Sequence, residues 1–254
     1  MARTNSRYGW VPDLPDQRDY QFAAPHAVQA QLPPSINLTS SCPPVYDQGQ
    51  LGSCTGNGVA GVVQFDAMKE GLADTSTPSR LFIYYNERVI EGTVKSDSGA
   101  QIRDGIKTVA TTGACDETLW PYDITQFAHK PTAACYKAAK DHRAIVYSRV
   151  GQSLAQLKGC LASGYPVVFG FTVYDSFESA EVASTGVVPM PAAGEGVLGG
   201  HCVVAVGYDD ASQRFTIRNS WGDGWGQSGY ATMPYAYLLS PSLASDFWTV
   251  KSTT

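Results

Sequence analysis

One segment does most to limit what this chain can become. CTGNGVAGVVQFDAMKE, residues 54–70, is apolar, with Val59, Val62, Val63 and Met68 spaced as on a buried helix and Gly71 placed to stop it. Gly56, Gly58 and Gly61 weaken a helix by propensity. Glycines are tolerated there when neighbouring backbone must come close, so the segment reads as a central, tightly packed helix. It starts at a cysteine. DQGQLGSCTGN, residues 47–57, sets Cys54 behind Gly52-Ser53 and six residues after Gln48. N–H groups at a helix N-terminus lower a thiol pKa and can hold a developing oxyanion, which makes Cys54 a candidate reactive thiolate.

Further helices are expected over 79–91, stopped by Gly92, over 102–112, stopped by Gly113, and over 131–142. Ser153-Leu154-Ala155-Gln156 carries a capping-box signature for a helix that ends at Gly164. The period then changes. VVFGFTV (167–173), HCVVAVGY (201–208), RFTIRN (214–219) and YATM (230–233) read as strands, with turn chemistry at Asp209-Asp210. Helices first and strands later indicate an α+β protein of two lobes. Residues 1–31 lack helical periodicity, carry Pro12, Pro15 and Pro25, and read as an extended strap.

At 254 residues, 43% of them hydrophobic, the chain is long enough to bury a good core. Net charge is −5 and no basic run interleaves with aromatics, so neither a nucleic acid nor an anionic membrane is expected as partner. No stretch of about 18 apolar residues suggests a membrane span. The N-terminus lacks the apolar core of a signal peptide. That leaves a cytosolic protein, one exported without a cleaved signal, or one that has lost its leader. Six cysteines allow fifteen connectivities, and Cys115 with Cys135, which flank one loop, is the first pair to test. Cys202, on an apolar strand, reads as an inert core residue. A zinc site from Cys54, His201 and Cys202 lacks paired ligand spacing, so no metal is expected.

The remaining chemistry lies downstream, in GGHCVVAVGYDD (199–210) and RNSWGDGWGQSGY (218–230), which supply His201 and Asn219. Singly, each residue has a structural explanation. The ordered set Gln48, Cys54, His201 and Asn219-Ser220-Trp221-Gly222 is far more specific, and with it the chain resembles the papain family of cysteine peptidases from about residue 32 onward. His201 and Asn219 follow Cys54 by 147 and 165 residues, against the roughly 130–150 of that signature. The resemblance implies a thiolate–imidazolium pair of Cys54 and His201, with Asn219 orienting the imidazole and Trp221 covering their hydrogen bond. It also implies that Gln48 donates its amide, beside the Cys54 N–H, to the oxyanion. Ser98 and Gly99 fall where substrate backbone would pair antiparallel, and Gly200 and Trp221 would line the same cleft.

The implied fold is papain-like α+β. A helical lobe over about 46–143 faces a β-barrel-like lobe over about 144–254 plus the N-terminal region, with the cleft between them. The implied function is endopeptidase hydrolysis of polypeptides through a Cys54 thioester, by a monomer, without metal or organic cofactor. A weak preference for an apolar side chain two residues before the cleaved bond comes with it. Departures are Thr55 for the usual aromatic, Leu51 for the usual half-cystine, and Gly200 before the histidine. Those point to a divergent, microbial-type member. Two other classes stay open: a catalytically silent binding module, and an acyltransferase or transglutaminase with the same Cys–His pair. Residues 1–31 are too few for a globular prodomain. They either restrain activity across the cleft, as a short propeptide would, or complete the β lobe.

Overall fold

The computed structural model describes residues 8–141 and 145–252. In chain order its elements are α1 (His26–Ala30), β1 (Ser35–Asn37), α2 (Cys54–Lys69), α3 (Arg80–Glu91), α4 (Ile102–Thr111), α5 (Ala133–Ala139) and β2 (Ile145–Arg149). There follow α6 (Leu154–Ala162), β3 (Val167–Tyr174), α7 (Ala180–Thr185), β4 (Val197–Asp209), β5 (Arg214–Arg218), β6 (Tyr230–Pro234), α8 (Tyr235–Leu239) and β7 (Ala244–Ser252).

Local chemistry sets the helix ends. Ser79 caps α3 by accepting the Phe82 N–H, and Thr132 caps α5 by accepting that of Cys135. Ser153 caps α6 through the Gln156 N–H, but Gln156 Oε1 has no hydrogen-bond partner, so only half of the expected capping box forms. Gly71, Gly92, Gly113 and Gly164 all sit at positive φ just past their helices. The helix expected over 131–142 is shorter, because Thr132 is its cap and not part of it; residue 142 lies outside the described residues. α1 interrupts the expected strap with one short turn.

α2 is buried along nearly its whole first half, from Cys54 through Val62. Its glycines do what the sequence suggests. A Cβ on Gly56 would lie 2.9 Å from the Arg80 carbonyl of α3, and one on Gly58 would lie 2.9 Å from Cys202 Sγ of β4. Met68, expected in the core, is 39% exposed, because the helix runs out past its partners there.

The sheet has seven antiparallel strands in the order β2-β7-β3-β4-β5-β6, with β1 pairing the far end of β4. It is not closed into a barrel, which corrects the barrel-like lobe expected from the resemblance: the end strands β2 and β6 do not pair. Instead the strap bridges Gln21 to Arg149 on β2, and Val187 bridges Thr232 on β6. Both faces of the central strands are covered. Val167, Phe169, Phe171, Val203 and Ala205 enter a core with α6, whereas Val168, Cys202, Val204 and Val206 enter a second core with α2 and α4. Strands buried on both faces read as unbroken apolar runs, as β3 and β4 do. β4 therefore passes against α2, and this contact positions the site.

Candidate active site

Cys54 is the first residue of α2 and is fully buried. Its thiol receives backbone N–H groups from Gly9, Cys202 and Thr55. Burial nevertheless dominates and pushes the thiol up to about 12. Burial thus opposes the lowering expected from the helix N-terminus, and Gly9 of the strap is among the groups around the sulfur.

His201 precedes Cys202 on β4, so the strand that delivers an N–H to the sulfur also delivers the imidazole. Its Nε2 meets Asn219 Oδ1 at 2.8 Å, and that oxygen also accepts the Ser220 N–H at 2.8 Å. The second bond fixes which end of the amide faces the ring, so Nε2 carries the proton. The Trp221 indole stacks on the imidazole at 4.6 Å with a 21° tilt, and Phe171 and Phe177 meet it edge-on. Asn219 lies just beyond β5, where the Gly229 carbonyl accepts its N–H.

Gln48 is fully buried in the loop before α2. Its Oε1 accepts from Ser220 Oγ at 2.7 Å and its Nε2 donates to the Leu51 carbonyl at 2.9 Å. The Gln48 N–H also donates to the Ser220 carbonyl at 2.9 Å. Ser220, beside Asn219, therefore locks Gln48 toward the loop that leads into Cys54. The Asn219–Ser220–Trp221 run serves both halves of the site.

The residues expected to bind substrate are occupied by the chain itself. The Gly9 carbonyl accepts from Ala100 N–H at 2.7 Å, and Val11 N–H donates to the Ala100 carbonyl at 3.0 Å, a parallel bridge. Gly99, at φ +71°, has no room for a Cβ against Gly9. The Gly200 carbonyl accepts the Trp10 N–H at 3.1 Å, and the Trp10 indole fills the space over Gly170 and Gly200. The Tyr8 ring lies 5.8 Å from that of His201 and 6.1 Å from that of Trp221. Ser98 turns its hydroxyl onto the Gly99 carbonyl. Gly170 was missed by sequence reasoning, because nothing local marks it; Ala100 ends the Asp97-Ser98-Gly99-Ala100 segment expected to pair with substrate.

An ionic cluster anchors the segment. Asp246 accepts from Trp10 Nε1 at 3.2 Å and from the Asp13 N–H at 2.8 Å, and pairs with Arg149 at 2.6 Å. Asp13 accepts from Trp248 Nε1 and the Arg103 N–H, while Arg103 pairs with Asp19 at 2.5 Å. Burial, then the Asp246 charge, raises Asp13 to about 6. Below α2, Thr55 donates to the fully buried Glu87 at 2.6 Å; burial raises that carboxyl well above its ordinary range. All six cysteines are free thiols; Cys115 and Cys135 touch, and burial together with that neighbour raises Cys115. Among the described residues no cluster of His, Cys, Asp or Glu could hold a metal, and no helix is long and apolar enough to cross a membrane.

A buried cysteine at a helix start, an Asn-bonded histidine under an indole, and a glutamine locked beside them define a thiol-hydrolase architecture. Residues 32–238 match the papain family cysteine protease profile. The chain is 45% identical over 216 residues to an uncharacterised peptidase C1-like protein of Acanthamoeba polyphaga mimivirus, covering 82% of this chain and 70% of that protein. It matches the crystal structure of xylellain, a cysteine protease of Xylella fastidiosa, with a TM-score of 0.92 and 44% identity, over 100% of this chain and 99% of that one. A digestive procathepsin L2 of Tenebrio molitor shares the fold, with a TM-score of 0.72 at 20% identity over 100% of this chain and 79% of that one. The chain belongs to the papain family of cysteine proteases and is a cysteine peptidase.

Proposed function

We propose that this peptidase cleaves internal bonds of polypeptides with Cys54 as nucleophile, and that the structure holds it in a latent state. The observation that carries the catalytic assignment is the His201–Asn219 bond at 2.8 Å beneath Trp221, on the strand whose Cys202 N–H reaches the Cys54 sulfur. With Nε2 committed to Asn219, Nδ1 is the nitrogen for the thiol proton. The thiolate then attacks the scissile carbonyl carbon, and the oxyanion accepts hydrogen bonds from the Cys54 N–H and from Gln48 Nε2. Collapse breaks the C–N bond as His201 gives its proton to the leaving amine. Water, deprotonated by His201, then cleaves the Cys54 thioester and frees the acid. Gly99, Gly200 and Trp221 line the cleft, with Ser98 at its edge.

Residues 8–11 support the latent reading by their direction. Substrate is expected to pair antiparallel with the edge at Gly99–Ala100, whereas the strap pairs parallel to it. What the strap offers the sulfur is the Gly9 N–H. A backbone donor gives a thiolate nothing to attack. Residues 1–31 act as the restraining segment of a monomer, with residues 32–254 as the peptidase domain. The helical lobe precedes residues 142–144, which lie outside the described residues, and the β-rich lobe follows them.

The test is the alkylation rate of Cys54 against pH, read by mass spectrometry, in the full chain, in Trp10→Ala and in His201→Ala. Slow labelling in the full chain, with fast labelling in Trp10→Ala at a midpoint several pH units below about 8.5, is the expected result. Loss of that fast labelling in Trp10→Ala/His201→Ala would complete the case. Equal rates in the full chain and Trp10→Ala would overturn the latent reading, and indifference to His201→Ala would overturn the pair.

A further inference from the structure

Leu51 leaves the nucleophile loop without the covalent tie that a half-cystine would provide there. The loop is held by Asp97 instead. Both carboxylate oxygens of Asp97 accept the Gly52 N–H, at 3.0 and 3.1 Å, two residues before Cys54. A Cβ on Gly52 would lie 2.9 Å from Asp97 Oδ1, so the loop backbone rests directly on the carboxylate. The same Oδ1 accepts from the Tyr84 hydroxyl at 2.5 Å, and that hydroxyl accepts the Gly99 N–H at 3.2 Å. Tyr84 is itself fully buried on α3, where its Cβ lies 3.2 Å from where a Cβ of Gly56 on α2 would be. Burial, then the Asp97 hydrogen bond, pushes the phenol far up, so it stays a donor.

We infer that Asp97, with Tyr84 as its relay, is a positioning residue that sets the distance between the nucleophile loop and the backbone edge on which polypeptide binds. The two parts of the site that must agree both reach this carboxylate, the Gly52 N–H directly and the Gly99 N–H through the Tyr84 hydroxyl. Gly52 belongs to the loop that carries Cys54, and Gly99 begins the edge that pairs the strap. Attack requires reacting atoms about 3–3.5 Å apart, and an error near 1 Å costs about a hundredfold. Hydrogen bonds to an ionised acceptor are shorter and stronger than neutral ones. Asparagine is a poor replacement: with its oxygen in the place of Oδ1, its NH₂ stands in the place of Oδ2 and is turned on the Gly52 N–H. The inference rests on Cys54 being the nucleophile.

The experiment uses the full-length chain carrying Trp10→Ala, which empties the indole's seat and leaves Asp97 and Tyr84 untouched. Amide hydrogen exchange at Gly52 and Gly99, and kcat and KM on a fluorogenic peptide, are measured with and without Asp97→Asn and Tyr84→Phe. Asp97→Asn is expected to speed exchange at both glycines about tenfold or more and to lower kcat about ten- to hundredfold. Tyr84→Phe is expected to speed exchange at Gly99 alone and to raise KM severalfold, with kcat within about twofold; it carries the test if Asp97→Asn does not fold. Unchanged Gly99 exchange in a folded Asp97→Asn protein, or kcat and KM both unmoved in each variant, would overturn the inference. So would a loss of kcat that only tracks the unfolded fraction in a thermal melt. Exchange needs no turnover. A parent that neither cleaves peptide nor alkylates at Cys54 would sink the nucleophile assignment, while the exchange pattern still decides the coupling.

Discussion

At the scale of single residues, Gln48 and Glu87 show how burial turns an ordinary side chain into a fixed instrument. Gln48 has its carbonyl taken by Ser220 and one N–H taken by Leu51, so its amide cannot flip. Gln48→Ala, made together with Trp10→Ala, should lower kcat about 10²–10³-fold with KM little changed, as measured by steady-state peptide hydrolysis. Burial raises the Glu87 carboxyl well above its ordinary range, with Thr55 donating to one oxygen and no hydrogen-bond partner on the other. Its folded pKa lies above the ordinary value, so the folded state binds the proton more tightly and stability falls as pH rises from the ordinary carboxylate range. Glu87→Gln should keep the Thr55 bond and flatten that fall. Thermal melts between pH 5 and 9 check it: equal slopes in parent and variant would refute the assignment.

At the scale of elements, the order of events is cap, helix, then packing. Ser79 does two jobs: Oγ accepts the Phe82 N–H, which starts α3, and donates to the Trp120 carbonyl at 2.7 Å, which ties the connection between α4 and α5 to the helix. Ser79→Ala should therefore cost about 1–2 kcal/mol and lower Tm by about 2–8 °C, read by calorimetry. The ends at Ser153, Gly92 and Gly113 were legible because they are local, whereas Thr132 fell inside the range expected to be helical and proves to be the cap of α5. β2 and β7 were not legible. Tyr147 and Thr249 read as part of a sheet only once β2 pairs β7 across about a hundred residues. Likewise the strand at 201–208 is longer than expected, because Val197 and Gly199 extend it by pairing with β3.

At the scale of the molecule, the strap joins the two sides of the cleft through its acids. Asp19 and Asp13 bind Arg103 of α4, while Asp13 also meets Trp248 and the Asp246–Arg149 pair of the sheet. Asp13 sits at about 6 when the strap is seated, above its ordinary 3.8. The seated state therefore takes up a proton as pH falls through 6, and seating tightens from neutral pH down to about 4. Opening should be about ten- to a hundredfold more frequent at pH 7.5 than at pH 4.5. Exchange of the Val11 amide, corrected for its intrinsic pH dependence, measures this; Asp13→Asn should remove the trend, and an opposite trend in the parent would refute it.

What the sequence determined by itself was the order of chemistry along the chain and the places where helices begin and end. Gln48, Cys54, His201 and Asn219 could be singled out because their residue types and spacing form a pattern, and the caps because they act within a few residues. The tertiary structure alone decided whether the sheet closes, what lies in the cleft and what the thiol experiences. An open sheet leaves edges that the strap and residue 187 cover, and no strand sequence states whether its edge will find a partner. Cys54 starts a helix, which favours a thiolate, yet it is fully buried, which favours the thiol; Gly9 and Cys202, some 45 and 148 positions away, are among the groups around it. Asp97 looks like a loop carboxylate in sequence and becomes a clamp only where Gly52 and Tyr84 converge on it. Burial and hydrogen-bond partnership are set by contacts between distant segments, and those are what folding adds.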